Sequence, residues 1–304
     1  MHVPVMCAEV VELLSPRDGG VFVDCTVGPG GHARALLEAG AGRIVGLDRD
    51  AEVLVQAREA LSPWADKVDL AHADYRSLPA ILDARGLAVV DGVLADLGFS
   101  SFQLEGAGRG FSFQRDEPLD MRMDRSTGLT AAELVASSDQ SALAEILFRY
   151  GEERRSRRVA RAIAEARGRE PIRTTGQLAA IVRRAIPGPP HRRIDPATRT
   201  FQALRIWVNQ ELEGLDRFLD GACRRLRVGG RLVVISFHSL EDRIVKRTFR
   251  ALESDGPFPL RVLTRKPGRP TEDEIRRNPR ARSAKLRAIE RLAEGRTNEG
   301  GGGR

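Results

Sequence analysis

Val21-Phe22-Val23-Asp24-Cys25-Thr26-Val27-Gly28-Pro29-Gly30-Gly31-His32, followed by Arg43-Ile44-Val45-Gly46-Leu47-Asp48, couples a glycine turn to a carboxylate one βα unit later. Val21 to Cys25 is a short apolar run suited to a buried strand, and Ala33 to Ala39 has helix-forming composition. The glycines between them let the chain turn tightly against a ligand. Arg43 to Leu47 forms a second strand and leaves Asp48 at its carboxyl end. A carboxylate there can accept both hydroxyl hydrogens of a ribose, as an acidic residue about 20 positions after the glycines does in dinucleotide folds. The pattern predicts a nucleoside-cofactor pocket.

The order of the glycines is selective. Gly-x-Gly-Gly-His lacks the third glycine of Gly-x-Gly-x-x-Gly, and no Gly-Lys-Ser/Thr follows to hold a triphosphate. A cofactor with a ribose and no pyrophosphate, such as S-adenosylmethionine, fits better than a dinucleotide, which also weakens an NAD-dependent dehydrogenase. Taken alone, the same glycines also suit, less well, a turn that needs them for backbone geometry only.

Outward from this stretch, Lys67 to His72 and Val89 to Ala95 read as further strands, with helical segments near Ala8 to Leu14, Ala51 to Leu61 and Ser77 to Ala84. That alternation implies a parallel sheet with helices on both faces. From Ala107 to Thr200 no strand-like run occurs. Thr130-Ala131-Ala132-Glu133 is a capping box, Asp139 caps a helix running to Tyr150, and Thr175 caps one from Gly176 to Ala185. A long amphipathic helix restarts at Thr200 with Leu204, Val208, Leu212, Leu215 and Leu219 on one face, and Arg231 to Phe237 is a fifth strand. The expected organisation is an α/β core from 1–106 and 201–294, an all-helical insertion over 107–200 for substrate recognition, and a flexible tail over 295–304. Such an insertion belongs beside the carboxyl ends of the strands, as a wall or lid. Its Arg149, Arg154, Arg155, Arg157, Arg158 and Arg161 read equally as a basic cluster or a solvated face.

With 304 residues, 41% of them hydrophobic, the chain can bury a full core. It has no apolar run long enough to span a bilayer and no signal-peptide pattern, so a soluble cytoplasmic protein with no membrane partner is expected. Cys7, Cys25 and Cys223 are odd in number and far apart, so neither a disulfide framework nor a metal site is implied. Between Arg261 and Arg291 eleven Lys/Arg face four Asp/Glu, a surplus equal to the +7 of the whole chain. A concentrated positive face favours a polyanion, although the dominance of Arg over Lys also fits a compositional bias.

Chemistry enters where the fourth strand ends, at Asp96-Leu97-Gly98-Phe99-Ser100-Ser101. Methyl transfer from a sulfonium is a direct displacement, so alignment matters more than a strong base. An exocyclic amine of a nucleobase is a poor nucleophile because its lone pair is delocalised into the ring. A carboxylate accepting its protons helps to localise that pair. Asp96 is the candidate acceptor and Phe99 a candidate stacking partner for the base. Asp96 can instead order the loop or meet the ammonium of the cofactor. His238, just past the fifth strand, is a candidate for catalysis or nucleotide contact, or a loop-ordering donor.

At these residues the chain resembles a known family, the bacterial ribosomal RNA small subunit methyltransferases H (MraW-like), which act on N4 of a cytidine in the decoding region of 16S ribosomal RNA. The resemblance runs through His2-x-Pro4-Val5, Asp24 to His32, Asp96 to Leu104, Arg109 to Phe113, Pro118 to Asp124 and Tyr150 to Glu153. It continues through Pro196 to Ile206, Ile235 to Arg243 and Asn278 to Arg287, nearly the whole chain. It implies a class I, Rossmann-like methyltransferase with S-adenosylmethionine contacts at Gly30, Gly31, His32, Asp48, Tyr75, Asp96 and Gln103. Arg280, Arg282, Lys285 and Arg287 are the phosphate candidates in its basic carboxyl-terminal motif. The chain departs at Asp195, where the family commonly has His, with His191 close by, and at Phe102, where Pro is usual. The expected function is cytidine-N4 methylation with 16S rRNA or the small ribosomal subunit as partner; a homodimer is compatible with the sequence. Alternatives are a DNA cytosine-N4 methyltransferase and a non-catalytic RNA-binding assembly factor.

Overall fold

The structure is a computed structural model that describes residues 4–16, 19–187 and 195–294. His2, His191 and the tail expected over 295–304 lie outside the described residues. In chain order the first elements are α1 (Cys7–Leu14), β1 (Val21–Asp24), α2 (Gly31–Glu38), β2 (Arg43–Asp48), α3 (Ala51–Ala60), β3 (Val68–His72), α4 (Leu78–Ala84) and β4 (Val90–Asp96). Helices alone follow: α5 (Ser101–Glu105), α6 (Ala131–Ser137), α7 (Gln140–Gly151), α8 (Ser156–Arg167), α9 (Thr175–Ala185) and α10 (Ala197–Asn209). The chain continues with α11 (Leu215–Arg224), β5 (Leu226–Ser236), α12 (Ser239–Asp255), β6 (Leu260–Val262), α13 (Glu272–Arg277) and β7 (Lys285–Arg291). Two compact units result, one of residues 1–98 with 213–304 and one of residues 99–212.

The first unit is a seven-stranded sheet of order β3-β2-β1-β4-β5-β7-β6. β1 to β5 pair in parallel, while β7 runs antiparallel to both β5 and β6. The two-residue period of the strands sorts their side chains onto two faces. Val23, Val45, Val93 and Leu232 pack in one cluster with Leu78 and Leu82 of α4, Phe218 of α11 and Phe249 of α12. Their neighbours Phe22, Ile44, Leu94 and Val233 pack in another with Val10 of α1, Leu36 of α2 and Leu54 of α3. The strands are apolar almost throughout because both faces are covered. This is the α/β architecture expected from the alternating elements, and the class I, Rossmann-like one that the family resemblance implies. β6 and β7 are additions to the five expected strands, and β7 makes the sheet mixed.

The second unit closes its own core, with Leu134, Leu147, Val159, Ile163, Leu178, Val182 and Leu204 all buried in one cluster. Its boundaries fall wider than 107–200 because α5 and the whole of α10 belong to it. The single helix expected from Thr200 is two: Gln210 (φ 50) caps α10 in the left-handed region, and Gly214 (φ 68) starts α11. One residue of register also differs at α9. Its N-cap is Thr174, which shares a capping box with Gln177, while Thr175 is fully buried and donates its hydroxyl to Arg115 O at 2.9 Å. Among the described residues no helix is long and apolar enough to cross a membrane.

Candidate active site

Three adjacent parallel strands end in carboxylates: β2 in Asp48, β1 in Asp24 and β4 in Asp96. The carboxyl edge of an open α/β sheet is where ligands bind. Past β1 the chain turns through Gly28 (φ 53) and Gly30 (φ 91) into α2. A Cβ on Gly30 would stand 3.0 Å from Leu61 Cγ, so position and backbone both require glycine. The turn is tied to Asp48, whose Oδ2 accepts from Gly28 N–H at 2.9 Å and whose Oδ1 accepts from Asp50 N–H at 2.9 Å. Burial pushes the Asp48 carboxyl up to about 6, against the pull of those two N–H groups.

His32, in the first turn of α2, is 5% exposed, and its Nε2 lies 3.5 Å from Asp96 Oδ2. Burial opposes the imidazolium, but Asp96, Cys7 and Asp24 outweigh it and hold the pKa up at about 10. Asp24 is wholly buried; its Oδ1 accepts from Thr26 N–H at 3.2 Å. Burial drives the Asp24 carboxyl up to about 7, with His32 pulling it back. Thr26 links the row, its Oγ1 accepting from Asp96 N–H at 2.7 Å. Among the described residues, Asp24 Oδ2 and Asp96 Oδ1 are buried with no hydrogen-bond partner. Gly30, Gly31, His32, Asp48 and Asp96 therefore stand along one edge of the first unit. Asp24 and Thr26 carry no motif signal of their own for a role; only the pairing of β1 with both neighbours gives them one.

Other expected site residues are committed locally. Tyr75 is buried in the core cluster with its ring 4.6 Å from that of Phe218, so it packs within the layer of α11. His238 is the N-cap of α12: its Nδ1 accepts from Glu241 N–H at 3.3 Å. Glu241 answers by accepting from Phe237 N–H at 2.9 Å and His238 N–H at 3.3 Å. The His-x-x-Glu spacing was the available signal for that capping box. In the second unit, taken by itself, Gln103 forms a capping box with Ser100 at the start of α5. There Phe99 stacks on Phe111 at 5.4 Å, and the Arg205 guanidinium lies 4.7 Å from the Phe99 ring centroid. Arg205 is itself held by Glu211 through two contacts of 2.8 Å.

The basic carboxyl-terminal motif divides. Arg280 and Arg282 are exposed on the segment before β7. Lys285 Nζ donates to Asp242 Oδ2 at 2.9 Å and Arg287 Nε to Asp242 Oδ1 at 2.7 Å. Burial would raise the Asp242 carboxyl, but Arg287 and Lys285 hold it below the usual carboxylate range. Arg287, 5% exposed, is thus a buried charge partner and not the phosphate ligand expected, because strand β7 carries it into the sheet.

The sequence profile of the MraW methylase family matches residues 1–292. The chain belongs to that family. Among MraW relatives, Ribosomal RNA small subunit methyltransferase H of Thermotoga neapolitana is 51% identical over 299 residues, covering 97% of each chain. The protein of the same name from Thermobifida fusca is 52% identical over 310 residues, covering 96% of this chain and 94% of its own. That of Syntrophotalea carbinolica is 52% identical over 308 residues, with 96% and 98% covered. The span matched by the MraW profile contains the glycine turn, the three strand-end carboxylates and the segment before β7.

Proposed function

We propose that this MraW methylase transfers the methyl group of S-adenosylmethionine to the exocyclic N4 of a cytidine in the decoding region of 16S ribosomal RNA. The observation that carries the reading is Asp96: a strand-end carboxylate with one oxygen beside the His32 imidazole and the other buried and, among the described residues, without a partner. The residues fit the cofactor. Gly30 and Gly31 leave the turn without side chains, and Asp48 is positioned by two N–H groups with lone pairs to spare for ribose hydroxyls. When bound, S-adenosylmethionine supplies an activated methyl group whose transfer leaves a neutral thioether.

Asp96 accepts a hydrogen bond from the N4 amine, which concentrates the nitrogen lone pair toward the methyl carbon. His32 Nε2, 3.5 Å from Oδ2, orients the carboxylate. On taking up the methyl group the amine would shed one proton to solvent. His238 and Gln103 serve through the helix starts they cap. Arg280 and Arg282 neutralise RNA phosphates, which sets register without reading sequence. The target base lies in folded RNA and must be unstacked to reach a carboxylate at a sheet edge. The names of the relatives support the small-subunit RNA class, and the chemistry of Asp96 supports an amine acceptor.

The test is methyl incorporation from labelled S-adenosylmethionine into purified small subunits lacking the modification, with nucleoside analysis of the product. N4-methylcytidine at one site is expected. Another methylated nucleoside, or no incorporation despite cofactor binding, would overturn the proposal.

A further inference from the structure

Asp24 is the member of the carboxylate row that methyl transfer leaves without a task. It is fully buried on the strand between those of Asp48 and Asp96, and its Oδ2 meets no donor among the described residues. The charged groups bearing on it are His32 from α2, Asp96 from β4 and Asp48 from β2. Those bearing on His32 are Asp96, Asp24 and the thiol of Cys7 from α1. His32 therefore faces two of the carboxylates, Asp96 at 3.5 Å and Asp24, while Arg49 bears on the third, Asp48, so two cations serve three carboxylates. A buried row with that shortage of positive charge must hold a proton or accept a cation.

We infer that Asp24 senses the charge of the cofactor: it releases its proton when the sulfonium form binds, and retains it when the neutral thioether product occupies the same place. The inference rests on the S-adenosylmethionine reading above. A fixed positive charge in a poorly screened site stabilises a second ionised carboxylate close by; the thioether has nearly the same shape without that charge. Burial holds the Asp24 carboxyl near 7, so the exchange falls in the neutral range. Substrate and product complexes then differ by a proton as well as by a methyl group. By linkage, the affinity ratio of S-adenosylmethionine over S-adenosylhomocysteine rises about tenfold per pH unit below the Asp24 pKa and levels above it.

Calorimetric titration of the full chain at about pH 7, in phosphate and in Tris, counts protons because the two buffers differ in ionisation enthalpy. Proton release is expected with S-adenosylmethionine, little with S-adenosylhomocysteine, and no difference between the ligands in Asp24→Asn. Equal proton counts for both ligands would overturn the inference, as would a difference that persists in Asp24→Asn. Should that variant not fold, the affinity ratio of the unaltered protein across the neutral range decides: a rising ratio supports the inference and a constant one overturns it. Failure of both ligands to bind would sink the cofactor reading itself, whereas binding with equal proton counts sinks only the role of Asp24.

Discussion

Asp24 and His32 impose pH dependences of the same sign on stability, over different windows. The Asp24 carboxyl is raised from 3.8 to about 7, so between those values the folded state holds a proton that the unfolded chain has lost. Stability falls as pH rises through that window. His32 is raised from 6.5 to about 10, and its contribution is complete below 6.5 and lost as pH rises through 10. Asp24→Asn removes the first effect while keeping an acceptor for Thr26 N–H. Its melting temperature relative to the unaltered protein should therefore be higher at about pH 8 than at about pH 5; an equal difference at the two would show that Asp24 does not titrate. Asp96→Asn addresses the reaction. Cofactor affinity measured by calorimetry should persist while turnover falls by roughly a hundredfold or more, and lost affinity would instead make Asp96 a cofactor ligand.

Helix starts and tight turns carry the second unit. Thr130 Oγ1 accepts from Glu133 N–H at 3.1 Å, and Glu133 Oε2 accepts from Thr130 N–H at 2.8 Å. Thr130→Ala should cost about 1 kcal/mol in denaturant unfolding. Gly110→Ala should cost more: its φ is 72°, and a Cβ would stand 2.4 Å from Pro118 O, a backbone atom with nowhere to move. If the alanine variant unfolds at an unchanged denaturant concentration, that turn is not as tight as described. Capping chemistry of this kind is local, which is why Thr130 and Asp139 were legible from spacing alone. The inner parallel strands β1, β2, β4 and the second half of β5 were legible for a related reason: buried on both faces, they read as nearly continuous apolar runs, whereas the edge strand β3 is only half-buried. β7 was not, because Lys285-Leu286-Arg287-Ala288-Ile289-Glu290-Arg291 mixes charge into a buried strand. Its charges are matched by Asp242 and, at Glu290, by Arg231 and Arg261, partners remote in sequence. The same limit applies to the site. Asp48 follows from strand-end logic, whereas the closeness of His32 to Asp96 depends on which strands are neighbours.

Over the whole molecule, the basic surplus near the carboxyl end splits into charge that meets solvent and charge consumed by the fold. Reversing Arg280 and Arg282 together to Glu should weaken RNA binding and lower the slope of log affinity against log salt by roughly 2, read from filter binding over a salt series. An unchanged slope would remove that segment from the interface. Arg287→Glu should instead destabilise the protein, by about 3–5 kcal/mol, because Asp242 would face a buried like charge. The order of elements also has a bearing on synthesis. The helices of residues 99–212 are complete on the growing chain before β5 exists, and their core draws on no later residue. The sheet has no such independence: β6 pairs only with β7, and β7 is made after both of its neighbours. A nascent chain can therefore present a finished helical unit while its sheet still has an unpaired edge at β5, and the last strand translated is the one that welds β6 into place.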